Sequence, residues 1–242
     1  MLKFNLQVVT VSLVLLVVNS AALAAKPNKL AQVFNADTID ADLSYLEYMT
    51  GPARNTSDSV IRGNEIIKIG DGYIEKVYRV DGCEVTASIE RGVVRSLGLT
   101  LSPTCTFKLN AFLVKRPELT TSVHKMTFGQ IASALGNYGS FTASCFESCG
   151  TTDPSIYDLI TLANNEGYYQ IMMEDIGSEQ DIRWADAIIK AKGHEWASNR
   201  ENAHCSGKYS DVASRLFKAA KITKITIGKD IGVVGPFSSE CR

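Results

Sequence analysis

The chain has 242 residues, 45% of them apolar and 21% charged, with a formal net charge of −1. That composition excludes collagen-like, coiled-coil and broadly disordered chains. The near-neutral balance also lacks the basic surplus with which a general nucleic-acid binder neutralises phosphates. An apolar N-terminus and six cysteines are the two departures from the average.

Residues 1–25 have the form of a secretory signal peptide. Lys3 supplies a short basic start. Val8–Val18 is an apolar stretch broken only by Thr10 and Ser12, and Ala22-Leu23-Ala24 offers the small residues that a signal peptidase reads. The run is shorter than the ~20 apolar residues of a membrane span. Its removal is therefore expected, leaving residues 26–242 as a periplasmic or secreted chain with no transmembrane segment. Cys83, Cys105, Cys145, Cys149, Cys205 and Cys241 all lie beyond the cleavage site. An even count in an exported chain reads as disulfides, because that compartment is oxidising. Pairing in sequence order (83 with 105, 145 with 149, 205 with 241) is the expectation, among the fifteen arrangements that six cysteines allow. Cys145-x3-Cys149 has no second Cys/His pair at close spacing, so neither a metal site nor a cofactor is expected.

After a polar lead-in, Thr38 and Asp40 precede a helical pattern of Ile39, Leu43 and Leu46, followed by Met49 and ended by Gly51-Pro52. Tyr73–Val80 and Cys83–Glu90 flank Asp81-Gly82, a strong hairpin signal. A two-residue loop there sets Val80 against Cys83, Tyr78 against Val85 and Ile74 against Ile89, all on one face. A three-residue loop at Glu90-Arg91-Gly92 would then place Val85 opposite Leu97 and Cys83 opposite Leu99. The meander has one apolar and one polar face, and the preceding helix is its natural cover.

The same sequence of signals recurs. Thr127 and Gln130 form a capping box before Phe128, Ile131 and Leu135, and Gly136 closes that helix. Strands Ile156–Ala163 and Tyr168–Glu174 follow the Cys145–Cys149 turn, joined through Asn164-Asn165-Glu166-Gly167. A C-terminal helical segment then carries Ile182, Ala185, Ile188 and Ile189 within Glu179–Lys192, stopped by Gly193. Ser210 caps a further helix with Val212, Leu216 and Ala219 or Ala220 inward, and Lys221–Gly228 alternates as a strand. The expected fold is one disulfide-stapled α+β domain of antiparallel meanders, each covered by a short helix. Its sub-units are 38–105, 126–175 and 176–242, the first two a possible tandem repeat.

Motifs for catalysis fail at particular positions. His194-Glu195 opens like a zinc-protease signature, but Ser198 stands where the second histidine must fall. Gly207-Lys208 has Asn202 and Tyr209 at the positions a phosphate loop needs for Gly and Ser/Thr, and Gly70-x-Gly72 has Glu75 where a dinucleotide fingerprint needs glycine. No Gly-x-Ser-x-Gly elbow occurs. Asn55-Thr56-Ser57 matches a glycosylation sequon. His124 reads as a solvated loop residue. His194 and His204 flank a polar stretch in which a histidine beside Glu195 is able to do acid/base work, or simply lies on a wet surface. Trp184 and Trp196 fit either helix-to-sheet packing or exposed anchors for a partner. The string from Cys145 to Pro154 makes a rigid polar turn beside Phe141, Phe146 and Tyr157. A candidate binding surface is thus Phe146, Asp153, Tyr157, Trp184 and Trp196.

The Cys-x3-Cys-Gly-x3-Asp-Pro string at 145–154 and the strand Lys221–Gly228 resemble uncharacterised exported proteins of Gram-negative bacteria. The helix-Gly-meander unit at 38–105 and 126–175 is similar to the repeat of the β-lactamase-inhibitor-protein-like fold, which includes the small lipoprotein of the outer-membrane β-barrel assembly machine. The lipid-bearing cysteine of that lipoprotein is missing here. The resemblance implies protein binding through an exposed sheet face, with no catalytic residues. The leading expectation is a non-catalytic exported protein that binds another envelope or extracellular protein, as an envelope factor or inhibitor. Two alternatives are an exported hydrolase using His194 and Glu195, and a small-ligand binder with a cavity lined by Tyr168, Tyr169, Met172 and Met173.

Overall fold

Asp81 and Gly82 both adopt positive φ, 49° and 85°, the backbone a two-residue hairpin turn requires if its twist is to match the flanking strands. From this turn the sheet is built outward. In a computed structural model of the chain, the described residues are 28–57, 59–62, 65–68, 73–113, 116, 117, 119–136, 139–147, 149, 155–162, 169–199, 202, 203, 206–229 and 231. The helices are α1 (Lys29–Val33), α2 (Leu43–Thr50), α3 (Phe128–Leu135), α4 (Glu179–Lys192), α5 (His194–Ser198) and α6 (Ser210–Phe217). The strands are β1 (Asn55–Ser57), β2 (Ser59–Arg62), β3 (Glu65–Lys68), β4 (Tyr73–Val80), β5 (Cys83–Glu90) and β6 (Val93–Thr100). They continue with β7 (Ser140–Ala143), β8 (Ser155–Thr161), β9 (Gln170–Ile176) and β10 (Lys224–Gly228).

Eight strands form one antiparallel sheet in the order β1-β4-β5-β6-β10-β9-β8-β7, and β2-β3 pair separately. The protein is a mixed α+β fold, as expected. The C-terminal strand β10 lies between β6 and β9 and joins the two meanders into one sheet.

The β4–β5 register is the expected one: Val80 faces Cys83, Tyr78 faces Val85 and Ile74 faces Ile89. The next pairing differs. The turn holds only Arg91 and Gly92, both at positive φ (50° and 82°), so Glu90 faces Val93 and Ile89 faces Val94; a bulge at Ser88/Ile89 then brings Val85 opposite Leu99 and Ala87 opposite Leu97. The reason is parity. Val94 and Leu97 are an odd number of residues apart, and only an inserted residue lets both face the core.

Register partners share a face, and Tyr78, Val85, Leu99, Ile225, Met173, Asp158 and Phe141 form one row across seven strands. All are buried. The helices cover this row. Lys76 of β4, which faces Ala87, is bonded to Glu47 of α2 at 2.7 Å. At the far end, Phe141 packs against Phe128 of α3, Trp184 of α4 and Phe217 of α6. Each such aromatic, fully buried, contributes roughly 1.5–3 kcal/mol of transfer free energy.

Several element details depart from expectation. Ile39 is buried in a tighter turn before α2, which begins only at Leu43. Strand β7 has no counterpart in the sequence reading. On α4 the buried positions are Asp181, Trp184, Ala185 and Ile188, while Ile182 is 58% exposed. On α6 they are Ala213 and Phe217, with Val212 and Leu216 only partly buried. The capping box Thr127/Gln130 and the left-handed Gly136 (φ 95°) end α3 as expected. The opposite sheet face is not open at its centre, where Ser88, Ser96, Met172 and Thr226 are buried.

Candidate functional site

Cys145 and Cys149 are joined, as are Cys83 and Cys105. These are the first two pairings in sequence order; Cys205 and Cys241 lie outside the described residues, as do Asp153 and His204. Two disulfides are what an oxidising compartment permits. Among the described residues no helix is long and apolar enough to cross a membrane.

The short Cys145–Cys149 loop carries Glu147 outward. Its Oε1 lies 2.9 Å from Nδ1 of His194, and its Oε2 accepts from the Ser198 hydroxyl at 3.0 Å. Both donors sit on α5, one turn apart, so the carboxylate clamps the loop to that helix. Bonding to His194, and then to Ser198, holds the Glu147 carboxyl below its ordinary range. The group has the members of a hydrolytic triad in the wrong order. In a triad the imidazole stands between hydroxyl and carboxylate and takes the hydroxyl proton. Here the carboxylate stands between the other two, and His194 is 77% exposed. Glu195, the partner expected from sequence, is exposed on the same turn.

The proposed surface aromatics turn out to be structural. Trp184 is completely buried, in edge contact with Phe141, Phe146 and Phe217. Phe146 is buried beneath the disulfide loop and stacks at 6.4 Å on Trp196. Trp196 in turn meets Tyr209, over which Lys192 and Lys208 each lie at 5.7 Å. Tyr157 faces the other side of the sheet and packs with Met172 and Ile231. The four described members, Phe146, Tyr157, Trp184 and Trp196, therefore do not form one surface. The residues expected to line a ligand cavity do not share one face: Met173 is in the core, Met172 is on the opposite face, and Tyr168 lies outside the described residues.

A different set of groups breaks the usual rule that buried polar atoms are bonded. Asp158 is the one charged member of the apolar row, between Met173 and Phe141. It is fully buried, and neither carboxylate oxygen has a hydrogen bond of ordinary geometry. Burial pushes it up to about 7, against a smaller downward pull from the Gly139 amide. Asp181 fills a core-facing slot on α4 while capping that helix through Ser178. Burial, reinforced by the nearby Asp175 charge, raises it to about 7 as well. Asp175 is raised chiefly by burial. The indole Nε1 of Trp184 is likewise buried without a partner. No signal in a single sequence marks Asp158, because an isolated Asp in a strand reads as solvent-facing.

Among the exposed large apolar and aromatic side chains of the described residues, two share one helix elsewhere. Tyr45 is 47% and Tyr48 89% exposed, three residues apart on the outer face of α2. Helical spacing places both opposite Leu46, the buried residue of that helix, a pattern that is readable in the sequence.

No protein-family model matches the chain, and no curated protein is significantly similar to it. Among solved structures it is similar to a cysteine-rich secretory protein from Staphylococcus aureus, at 11% identity and a TM-score of 0.33, over 84% of this chain and 47% of that one. The chain spans about half the length of that protein.

Proposed function

We propose that the protein is an exported binding protein, periplasmic or secreted, that docks another protein through the tyrosine face of α2. Export is supported by the leader-like residues 1–25 and by the two disulfides. The observation that carries the docking surface is the pair Tyr45 and Tyr48. Tyrosine presents a large, rigid, amphipathic contact area with few rotatable bonds, and is enriched where proteins meet. The helix that presents the pair is firmly held. Glu47 bonds Lys76 of β4, Leu43 N–H donates to Gly92 O at 2.8 Å, and Gly51 ends the helix with its N–H on Glu47 O. A rigid aromatic pair loses little freedom on binding. This keeps the protein-binding role that the helix-meander resemblance implies, but moves it from the sheet face to a helix.

A photo-crosslinking side chain in place of Tyr48, in protein returned to its native envelope or medium, tests this. One discrete adduct is expected, suppressed by excess unlabelled protein and lost with Tyr45→Ala. Formation of the same adduct from a probe in place of Ile182, on a different helix, would refute a specific surface on α2.

A further inference from the structure

A cleft of about 330 Å³ lies between α1 and the loop that follows the Cys83–Cys105 staple. Its walls are Ala31 and Phe34 on one side and Phe107 and Ala111 on the other, with Lys108 and Asn110 at the mouth. The volume falls within the range of small-molecule sites, which combine an apolar lining with a few polar groups that fix orientation. Phe34 and Phe107 lie 4.6 Å apart, and Phe112 meets both edge-on at 5.1 and 5.5 Å, so the floor is an aromatic cluster.

Both walls are held in place. The α1 wall is capped by Asn28, whose Oδ1 accepts from Ala31 N–H, and by Asp81 of the hairpin turn, whose Oδ2 accepts from Leu30 N–H at 3.0 Å. The loop wall is fixed by its disulfide, by Cys105 N–H on Ser102 Oγ at 2.9 Å, and by Val123 N–H on Phe107 O at 2.9 Å. A cleft with fixed walls spends little of a ligand's binding energy on ordering itself.

We propose that this cleft binds a small aromatic carboxylate. The ring lies between Ala31 and Ala111 against the exposed edge of Phe107, with the fully covered Phe34 packed behind it. Edge contact with an aromatic ring adds to apolar burial, and the carboxylate meets the Lys108 ammonium. Lys108 is exposed, and among the described residues no acidic group or carbonyl takes its charge. One amide assists: the Asn28 side chain accepts through its oxygen in capping α1, which leaves its NH2 as a donor at the rim, whereas the Asn110 NH2 donates to Pro117 O. The preference for an anion follows from a single cation beside neutral groups. A cationic ring compound meets only like charge at the mouth.

The test uses 3-phenylpropionate and its neutral counterpart 3-phenylpropionamide, titrated at millimolar concentration into the 15N-labelled protein. Saturable amide shifts are expected at Ala31, Lys108, Asn110 and Ala111, with the acid binding more tightly than the amide. Lys108→Met, which keeps an apolar stem at an exposed position, is expected to weaken the acid about fivefold, in the range of one exposed ion pair, and to leave the amide unchanged. Ala31→Trp, which fills the cleft from the exposed side of α1, is expected to abolish both. Equal affinity for acid and amide, indifference to Lys108→Met, or shifts that map elsewhere or never saturate would each overturn the assignment.

Discussion

Asp158 is expected to make the protein more stable in mild acid than in mild base. Its folded carboxyl is pushed from 3.8 to about 7, a shift of ~3 units, and at 1.36 kcal/mol per unit this sets an upper bound of about 4 kcal/mol on the effect of the one group. The sign follows from proton counting. Between about pH 4 and 7 the folded chain holds a proton that the unfolded chain has released, so stability is complete below pH 4 and is lost as pH rises through 7. Asp181, also raised to about 7, acts in the same direction. Asp158→Asn replaces a buried neutral acid with a neutral amide of the same shape. It is expected to change little only below about pH 4, where both states are protonated. It is expected to raise stability by about 1–2 kcal/mol at pH 5 and by up to about 4 kcal/mol at pH 8, and to remove about half of the slope between them. Urea unfolding at pH 5, 6, 7 and 8, followed by the fluorescence of the buried Trp184, measures this. Wild-type stability that is flat or rises over the window, or a slope unchanged in Asp158→Asn, would show that the carboxyl is solvated or paired, and the reasoning would fail.

Gly139→Ala places a Cβ 1.8 Å from the backbone oxygen of Leu159, which neither strand is able to clear, so loss of β7 pairing and at least ~3 kcal/mol are expected in denaturant melts. Joint replacement of Cys83 and Cys105 by Ala opens a loop of sequence separation 22 and is expected to cost about 3 kcal/mol, read from the urea midpoint with and without reductant on the parent chain. Ile182→Ser, on the exposed side of α4, is expected to shift stability by no more than ~0.5 kcal/mol. Ile188→Ala, on its buried side, is expected to cost about 2–5 kcal/mol, and similar losses for the two would contradict the face assigned to α4.

Elements that declare themselves locally were legible in the sequence. The Asp81-Gly82 hairpin, the Thr127/Gln130 capping box and the bounds of α4 each rest on a few adjacent residues whose backbone demands are strong. What required the assembled sheet was less visible. Strand β7 is four residues long and carries no alternation, and it forms because β8 offers a partner edge and Phe141 completes the aromatic cluster. On α4 Ala185 and Ile188 face the core as the sequence predicts, but Asp181 and Trp184 take the places expected of Ile182 and Ile189; on α6 the face is shifted by one residue, with Ala213 and Phe217 inward in place of Val212 and Leu216. A polar residue inside breaks the apolar pattern by which a face is found. The surface aromatics failed for a related reason. Composition gives the presence of Trp184 and Trp196, but whether a ring is an anchor or a core residue depends on which elements close over it. The exposed tyrosines were within reach, since a three-residue spacing opposite Leu46 needs only the helix.

The two helix-meander units share a plan without being related by a rotation. Each begins with a helix and runs inward from an outer strand, β4 to β6 in one and β7 to β9 in the other. Because β6 and β9 are both antiparallel to β10, they run parallel to each other, and so do β4 and β7. Both covering helices lie on the same face, as the Lys76–Glu47 bond and the Phe128–Phe141 contact require. With strand direction and covered face both preserved, one unit runs left to right and the other right to left, which only a mirror operation relates. A duplicated segment keeps its hand, so the recurrence is better explained by shared physics: a meander with one apolar face must be covered, and the adjoining helix is the nearest cover. The same arrangement makes β10 indispensable. It arrives from the far end of the chain and pairs five residues with each inner edge. Without it β6 and β9 would each present an unpaired, apolar edge, the kind of surface that invites association with other chains.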